Sequence, residues 1–236
     1  NFEAYGDSVI HYKFIQWVIK NKRPAAGTGI LGYENIKNEG PDLAERTLIN
    51  IIPTPRARTM RREVEERALV LKTVVPIFQR NRLVGVLYAA VLLNNNERFV
   101  DRFRRFIFKE EKIKGKDVGT TTIFLEDVRV ATNVLDKDGK RAVGTIVSEE
   151  VYHQVFEQGK AWLGRAFVVN DYYLSGYTLL RDIEGQPVGM LYVGILQSKF
   201  DQILRQTTIL YFVLIFLMTG IAIYISTYLV NVYTRP

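Results

Sequence analysis

Two ten-residue runs, VGVLYAAVLL (84–93) and VGMLYVGILQ (188–197), share a Val-Gly start, a Leu-Tyr pair and an apolar tail. Each follows an apolar run and a turn, VVPIFQRNRL before the first and YTLLRDIEGQP before the second, and each leads into a polar, helix-like stretch, ERFVDRF or SKFDQIL. The offset of 104 residues is too long for a solenoid unit and suits two copies of a small domain. In both copies the pattern predicts a strand, an Asn- or Gly-rich turn and a long apolar strand, forming a hairpin that ends at a helix.

Upstream of the second copy, VGTTTIFLEDVRVATNV (118–134) predicts a hairpin over Thr121–Val134 with its turn at Glu126-Asp127. Period-two alternation sets Val128, Val130, Thr132 and Val134 on one face and Arg129, Ala131 and Asn133 on the other. A helix from Ser148 to about Gln158 and a strand near Gly164–Val169 complete that copy. The first copy opens with a helix (Val9–Lys20), a Gly27–Gly32 stretch and an insertion from Tyr33 to Glu66. Nothing in it corresponds to the Thr121–Val134 hairpin, and Asn1 is not a natural start, so an export signal or first membrane span is expected upstream. Between the copies, Asn96–Lys114 reads as an amphipathic helix carrying Phe99, Phe103, Phe106 and Ile107 on one stripe and stopping at Gly115. The fold class expected is α+β, helices packed on antiparallel sheets.

From Gln206 to Thr234 no residue is charged, and Thr208–Val230 supplies 23 largely apolar positions. A span of the bilayer core needs about 20 such residues, so this segment reads as a transmembrane helix, with Tyr211, Tyr228 and Tyr233 as interfacial anchors. All 25 acids and 31 of the 32 bases precede it. The densest basic run, Arg56 to Arg62, is followed at once by Glu63, Glu65 and Glu66, the pattern of a charge-mixed helical face rather than a nucleic-acid surface. The absence of cysteine excludes disulfides, thiolate metal sites and covalent haem attachment.

No catalytic template is visible. His11 and His153 have no metal-ligand spacing, no G-x-S-x-G occurs, and Gly139–Thr145 has the glycine frame of a P-loop without its Lys-Ser/Thr. Neither a metal nor a cofactor is expected, and the chain is read as a non-enzyme. Binding has better support. Arg129, Thr132, Asn133, Arg141, Thr145, Arg165, Tyr173 and Tyr177 lie on or beside the strands of one small domain. A guanidinium fork pairs a carboxylate, and hydroxyls, amides and aromatic walls hold the rest of a small polar molecule. Against this stands the plain reading of each as turn or surface: Asp138-Gly139 is a hairpin turn that carries Lys140 and Arg141 toward solvent, and one of Tyr172 and Tyr173 points outward.

The strings RVATNV, GKRAVGT, VVNDYYLSGY and VGMLYVGI, in order over residues 122–195, closely resemble the membrane-proximal unit of bacterial Cache sensor regions of the Cache 3/Cache 2 fusion type. The first copy resembles the distal unit of a double Cache region without its early strands, and Thr234-Arg235-Pro236 resembles the opening of a HAMP linker. The resemblance implies tandem PAS-like domains with long N-terminal helices, divided as a distal unit (1–95), connecting helix (96–114), proximal unit (115–198), juxtamembrane helix (199–207), membrane span (208–230) and linker (231–236). It implies a homodimeric receptor of the bacterial inner membrane, with residues 1–207 outside, that binds a small polar or anionic metabolite and signals to a histidine kinase or a chemoreceptor domain. A structural docking ectodomain is the competing reading.

Overall fold

The computed structural model describes residues 10–59, 62–113, 115–169 and 171–234. Val9, Arg61 and the Arg235-Pro236 end lie outside these, and the side chain of Ile203 lies outside those described.

Helix α1 (Lys13–Asn21) is followed by strand β1 (Ala25–Leu31), helices α2 (Tyr33–Glu39) and α3 (Pro41–Glu45), and the short strands β2 (Ile49–Asn50) and β3 (Val64–Glu65). Strands β4 (Ala68–Gln79) and β5 (Arg82–Leu92) then form the first long hairpin. Its turn, Arg80-Asn81, has φ of 47° and 64°, the doubly left-handed turn that matches strand twist. With β1 they make an antiparallel sheet in the order β1-β4-β5. Helix α1 buries Phe14, Ile15 and Val18 against Val74 on one face, while Leu71, Val75, Leu87 and Val91 stay exposed on the other.

Helix α4 (Glu97–Phe108) leads through strands β6 (Lys112–Ile113) and β7 (Lys116–Asp117) into the second half. This helix stops short of the expected Lys114. Phe108 packs where a Cβ on Gly119 would stand (2.0 Å), so the chain doubles back and starts strand β8 (Gly119–Leu125) under its own helix. Strand β9 (Val128–Thr132) completes the predicted hairpin. The helix expected over 148–158 is a short α5 (Glu149–Val151) running into a π-helical segment, Tyr152–Glu157. The wider turn brings Val151, Tyr152, Val155 and Phe156 all onto the sheet beneath. Strands β10 (Trp162–Val168), β11 (Asp171–Arg181) and β12 (Pro187–Leu196) follow, and the sheet order is β10-β11-β12-β8-β9, antiparallel throughout. Strand β12 sits at its centre.

The Val-Gly pair of the two runs has different work in each. A Cβ on Gly189 would meet the Phe124 carbonyl oxygen at 2.1 Å, so only glycine permits the β8–β12 approach, whereas Gly85 faces open space.

The described residues of the basic run, 56–59 and 62, are turn and irregular chain rather than the expected helical face. Arg58 Nε donates to Asp127 Oδ2 at 2.6 Å, Arg62 pairs with Glu65 and Glu126, and Arg67 bridges Glu65 and Glu126. Asp127 and Glu65 are buried. The same segment donates from Thr54 Oγ1 to the Ile146 carbonyl and accepts at the Arg56 carbonyl from Glu149 N–H at 2.8 Å, clipping the insertion to the start of α5.

Helix α6 (Gln197–Thr234, 38 residues) begins at the residue after β12 ends. At about 1.5 Å per residue it is roughly 55 Å long, enough to cross a hydrocarbon core of about 30 Å and still reach the sheet.

Candidate functional site

Strand β9 is irregular, and the irregularity decides where Arg129 goes. Thr132 pairs with Thr122 and Ala131 with Ile123, but Phe124 pairs with Arg129, so the register shifts by one residue at Val130. A bulge of this kind turns the following side chain to the other face. The face expected for Arg129, Ala131 and Asn133 together is therefore split. Ala131 and Val130 join Val128 in the core under α4, while Arg129 and Thr132 share the opposite face with Thr122, Phe124 and, one strand over, Met190 and Tyr192.

On that face Arg129 is only 5 % exposed. Its guanidinium carbon lies 5.3 Å from the Phe124 ring centroid. Its Nε and Nη1 have no hydrogen-bond partner. Burial pushes its pKa below the ordinary guanidinium value, and the titratable groups that oppose this shift are three phenols, Tyr177, Tyr192 and Tyr173, rather than carboxylates. All three phenols are themselves pushed upward by burial, which keeps them neutral hydroxyls. Tyr192 Oη and Thr120 Oγ1 lie 3.1 Å apart, Ser175 also hydrogen bonds the Tyr192 hydroxyl, and Thr122 and Thr132 pair through their hydroxyls at 2.6 Å. Tyr177 packs 4.8 Å from Tyr192 and 5.7 Å from Trp162, centroid to centroid. A Cβ on Gly194 would stand 2.1 Å from the Tyr192 hydroxyl, so this glycine is what lets Tyr192 reach Thr120.

The nearest acid in sequence, Asp127, does not serve Arg129, because it is held by Arg58, whose guanidinium also lies 3.9 Å over the Tyr152 ring. Arg58, Arg62 and Arg67 against Glu65, Glu126 and Asp127 give three charges of each sign. Of the buried charged residues described, Glu65 and Asp127 are paired; Arg129 has no acidic hydrogen-bond partner.

Four of the eight residues singled out in the sequence thus converge: Arg129, Thr132, Tyr173 and Tyr177. The other four are placed elsewhere. Arg141, expected at the ligand with solvent as the plain alternative, forms a two-pronged pair with Asp101 of α4 (3.0 and 2.8 Å) and donates to the Thr132 carbonyl. Asn133 accepts from Thr121 N–H at 2.6 Å and extends the sheet edge. Thr145 donates to the Ala142 carbonyl. Arg165 is exposed on the outer face over the Tyr172 ring, 4.2 Å from its centroid. Thr120, Thr122, Ser175 and Tyr192 were not singled out. The available signal for Tyr192 was the glycine two residues on, Gly194, which leaves one sheet face empty beside it.

A second space lies on the opposite face. A partly open pocket of about 180 Å³ is lined by Phe99 and Phe103 of α4, Leu71 of the first sheet, and Ile123, Leu180 and Leu191 of the second. The stripe expected along α4 is accordingly divided: Phe99, Val100 and Phe103 turn inward, while Phe106 is 87 % exposed and Ile107 is exposed beside it.

Comparison with known proteins gives one family. Residues 91–207 match the family described as single Cache domain 3. None of the curated proteins compared with the sequence matches it. Among solved structures, the periplasmic domain of Vibrio cholerae LuxQ is 15% identical with a TM-score of 0.33, over 69% of this chain and 59% of that one. The ligand-binding domain of the Pseudomonas aeruginosa PAO1 amino acid chemoreceptor PctB, in complex with L-Gln, is 11% identical with a TM-score of 0.32, over 83% and 60%. The ligand-binding domain of Mlp24 with asparagine is 10% identical with a TM-score of 0.33, over 84% and 62%. The chain spans about three fifths of the length of each of these structures.

Proposed function

Residues 91–207 belong to the single Cache 3 family of extracytoplasmic sensor domains, and from that premise we propose that this chain is the sensing region of a bacterial inner-membrane receptor that binds a small carboxylate at Arg129. The observation that carries the proposal is the buried guanidinium with Nε and Nη1 unpartnered and no acid beside it. A charge in that state costs several kcal/mol relative to water, and a carboxylate fits the vacant donors of the fork. The three phenols and the threonine pair supply neutral hydroxyls for the remainder of the ligand.

The relay follows from chain continuity. Tyr192 lies on β12, and β12 becomes α6 with no intervening residue. Lys199, in the first turn of α6, pairs with Glu111 at 2.6 Å, tying the helix to the segment after α4. Movement of β12 on binding therefore displaces the membrane helix, as a piston, tilt or rotation. The receptor is read as a homodimer, with the exposed Phe106 and Ile107 offered to its partner, and its output as a sensor histidine kinase; the alternative is a chemoreceptor. Neither catalysis nor a cofactor is assigned to this chain.

The test is a thermal-shift screen of the chain in nanodiscs against small carboxylates. A ligand at about 100 times its dissociation constant stabilises by about 2.7 kcal/mol. A shift present in the wild type and absent in Arg129→Met supports the reading. Shifts that persist unchanged in Arg129→Met place the ligand elsewhere and overturn it. Mass measurement in solution tests the dimer, and an assay for autophosphorylation on histidine in the full-length receptor tests the output.

A further inference from the structure

The groups around Arg129 also limit which carboxylates fit, and this rests on the site proposed above. We infer that the ligand is a short monoanion without an ammonium group, a simple or hydroxy monocarboxylate, and that the site rejects both zwitterionic amino acids and dicarboxylates.

The argument is a count of charge from every element that faces the guanidinium. Strand β8 presents Thr122 and Phe124, β9 presents Thr132, β11 presents Tyr173, Ser175 and Tyr177, and β12 presents Met190 and Tyr192. From above, the π-helical segment and its approach add Val151, Tyr152 and Val155. Not one of these is an acid; Asp171 and Asp117 act on Tyr173 from the end of the site, Asp117 is paired with Arg104, and neither acts on the guanidinium. The acid closest in the chain, Asp127, is fully buried and held by Arg58, and the neighbouring acids Glu126 and Glu65 are matched by Arg62 and Arg67. An α-ammonium carried in beside the carboxylate would be buried with no carboxylate to receive it, and an unpaired buried charge is strongly unfavourable. Hydroxyls accept hydrogen bonds but do not neutralise.

A second carboxylate fares no better. Arg129 is the one cation among the groups named above; Arg141, which donates to the Thr132 carbonyl, is engaged by Asp101, and Arg58, over the Tyr152 ring, is engaged by Asp127. A dianion therefore leaves one negative charge without a partner in a wall of phenols and apolar side chains. Val134, Val147, Val155, Val168 and Leu196 close the same core, all at most 5 % exposed.

Four small probes separate the possibilities in nanodisc-embedded chain by calorimetric titration: propionate, L-lactate, L-alanine and succinate. Lactate and alanine differ only in hydroxyl against ammonium, and succinate adds a second carboxylate. The result expected is binding of propionate or lactate, at least about 100-fold weaker binding of alanine and succinate, and loss of the signal in Arg129→Met. A conservative Arg129→Lys, which keeps the charge but not the fork, should retain weak binding with the same rank order. Circular dichroism and cooperative unfolding of each variant confirm that it is folded. Alanine or succinate binding as well as lactate, and depending on Arg129, overturns the monoanion inference and leaves the carboxylate site standing. Binding by none of the four, or binding that both Arg129 variants retain at full strength, overturns the inference together with the site.

Discussion

Replacing Arg129 by methionine should make the unliganded protein more stable. The guanidinium is 5 % exposed, and its Nε and Nη1 carry no hydrogen bond. Its surroundings are Phe124 and three neutral phenols rather than a carboxylate. Substituting buried charges by well-packed apolar side chains is commonly neutral to stabilising, by about 1–4 kcal/mol. Methionine keeps the length of the aliphatic stem and adapts to irregular space, so the packing lost is small. A gain of about 2 kcal/mol corresponds to a rise of roughly 4–8 °C in melting temperature for a protein of this size. The unfolding can be followed by the fluorescence of Trp17 and Trp162, the latter in contact with Tyr177. Added carboxylate should invert the order: the wild type gains stability with ligand concentration, and Arg129→Met does not. Destabilisation of the unliganded variant by more than about 1 kcal/mol would refute the reasoning, since it would mean that the fold itself satisfies the cation.

Three further outcomes follow from neighbouring geometry. Lys72 is buried on β4 near the Tyr12 and Phe14 rings, and burial lowers its pKa to about 8. A depressed lysine pKa destabilises the fold below that value and the penalty fades as pH rises toward the unfolded value of about 10.5, so Lys72→Met should stabilise by about 3 kcal/mol at pH 7 and by progressively less from pH 8 to 10.5, in urea titrations at stepped pH. Gly194→Ala should push the Tyr192 hydroxyl off Thr120, costing about 1–3 kcal/mol and weakening carboxylate binding in the same thermal-shift assay. Arg58→Ala leaves the fully buried Asp127 carboxylate without its main partner and should cost about 3–5 kcal/mol, whereas Asp127→Asn frees an arginine that is one-third exposed and should cost less; equal losses on chemical unfolding would contradict this asymmetry.

How much of this was written legibly in the sequence depends on whether it was local. The hairpins, their turns and the apolar terminal helix are periodic features of short segments, and the sequence announces them. The bulge in β9 is not. Strict alternation placed Arg129 beside Ala131, and only the pairing of Phe124 with Arg129 reveals the one-residue shift that turns it toward the tyrosines. Arg141 was equally illegible. A residue two beyond an Asp-Gly turn reads as solvated, yet Asp101, 40 positions away on α4, claims its fork. The basic run at 56–62 failed for the same reason: its partners, Glu126 and Asp127, stand on a hairpin about 65 residues downstream. Long-range ion pairs leave no periodic trace.

The same distribution of charge explains why one site can be both costly and useful. Of the two buried ions described in the second half, Asp127 is paired with Arg58, whereas Arg129, on the edge strand β9, has no acidic partner. On the site we propose, the free energy of that unpaired charge would be present in the empty state and relieved in the bound one, so ligand binding would discriminate between two states of the protein by an amount that the fold has set in advance. Signal requires such a difference together with a route for it. Here the route is short: Phe124 and Thr122 pair across to Met190 and Tyr192 on β12, and β12 passes into α6 at Gln197. A cation paired internally by an acid would give a more stable domain and a smaller difference for the membrane helix to report.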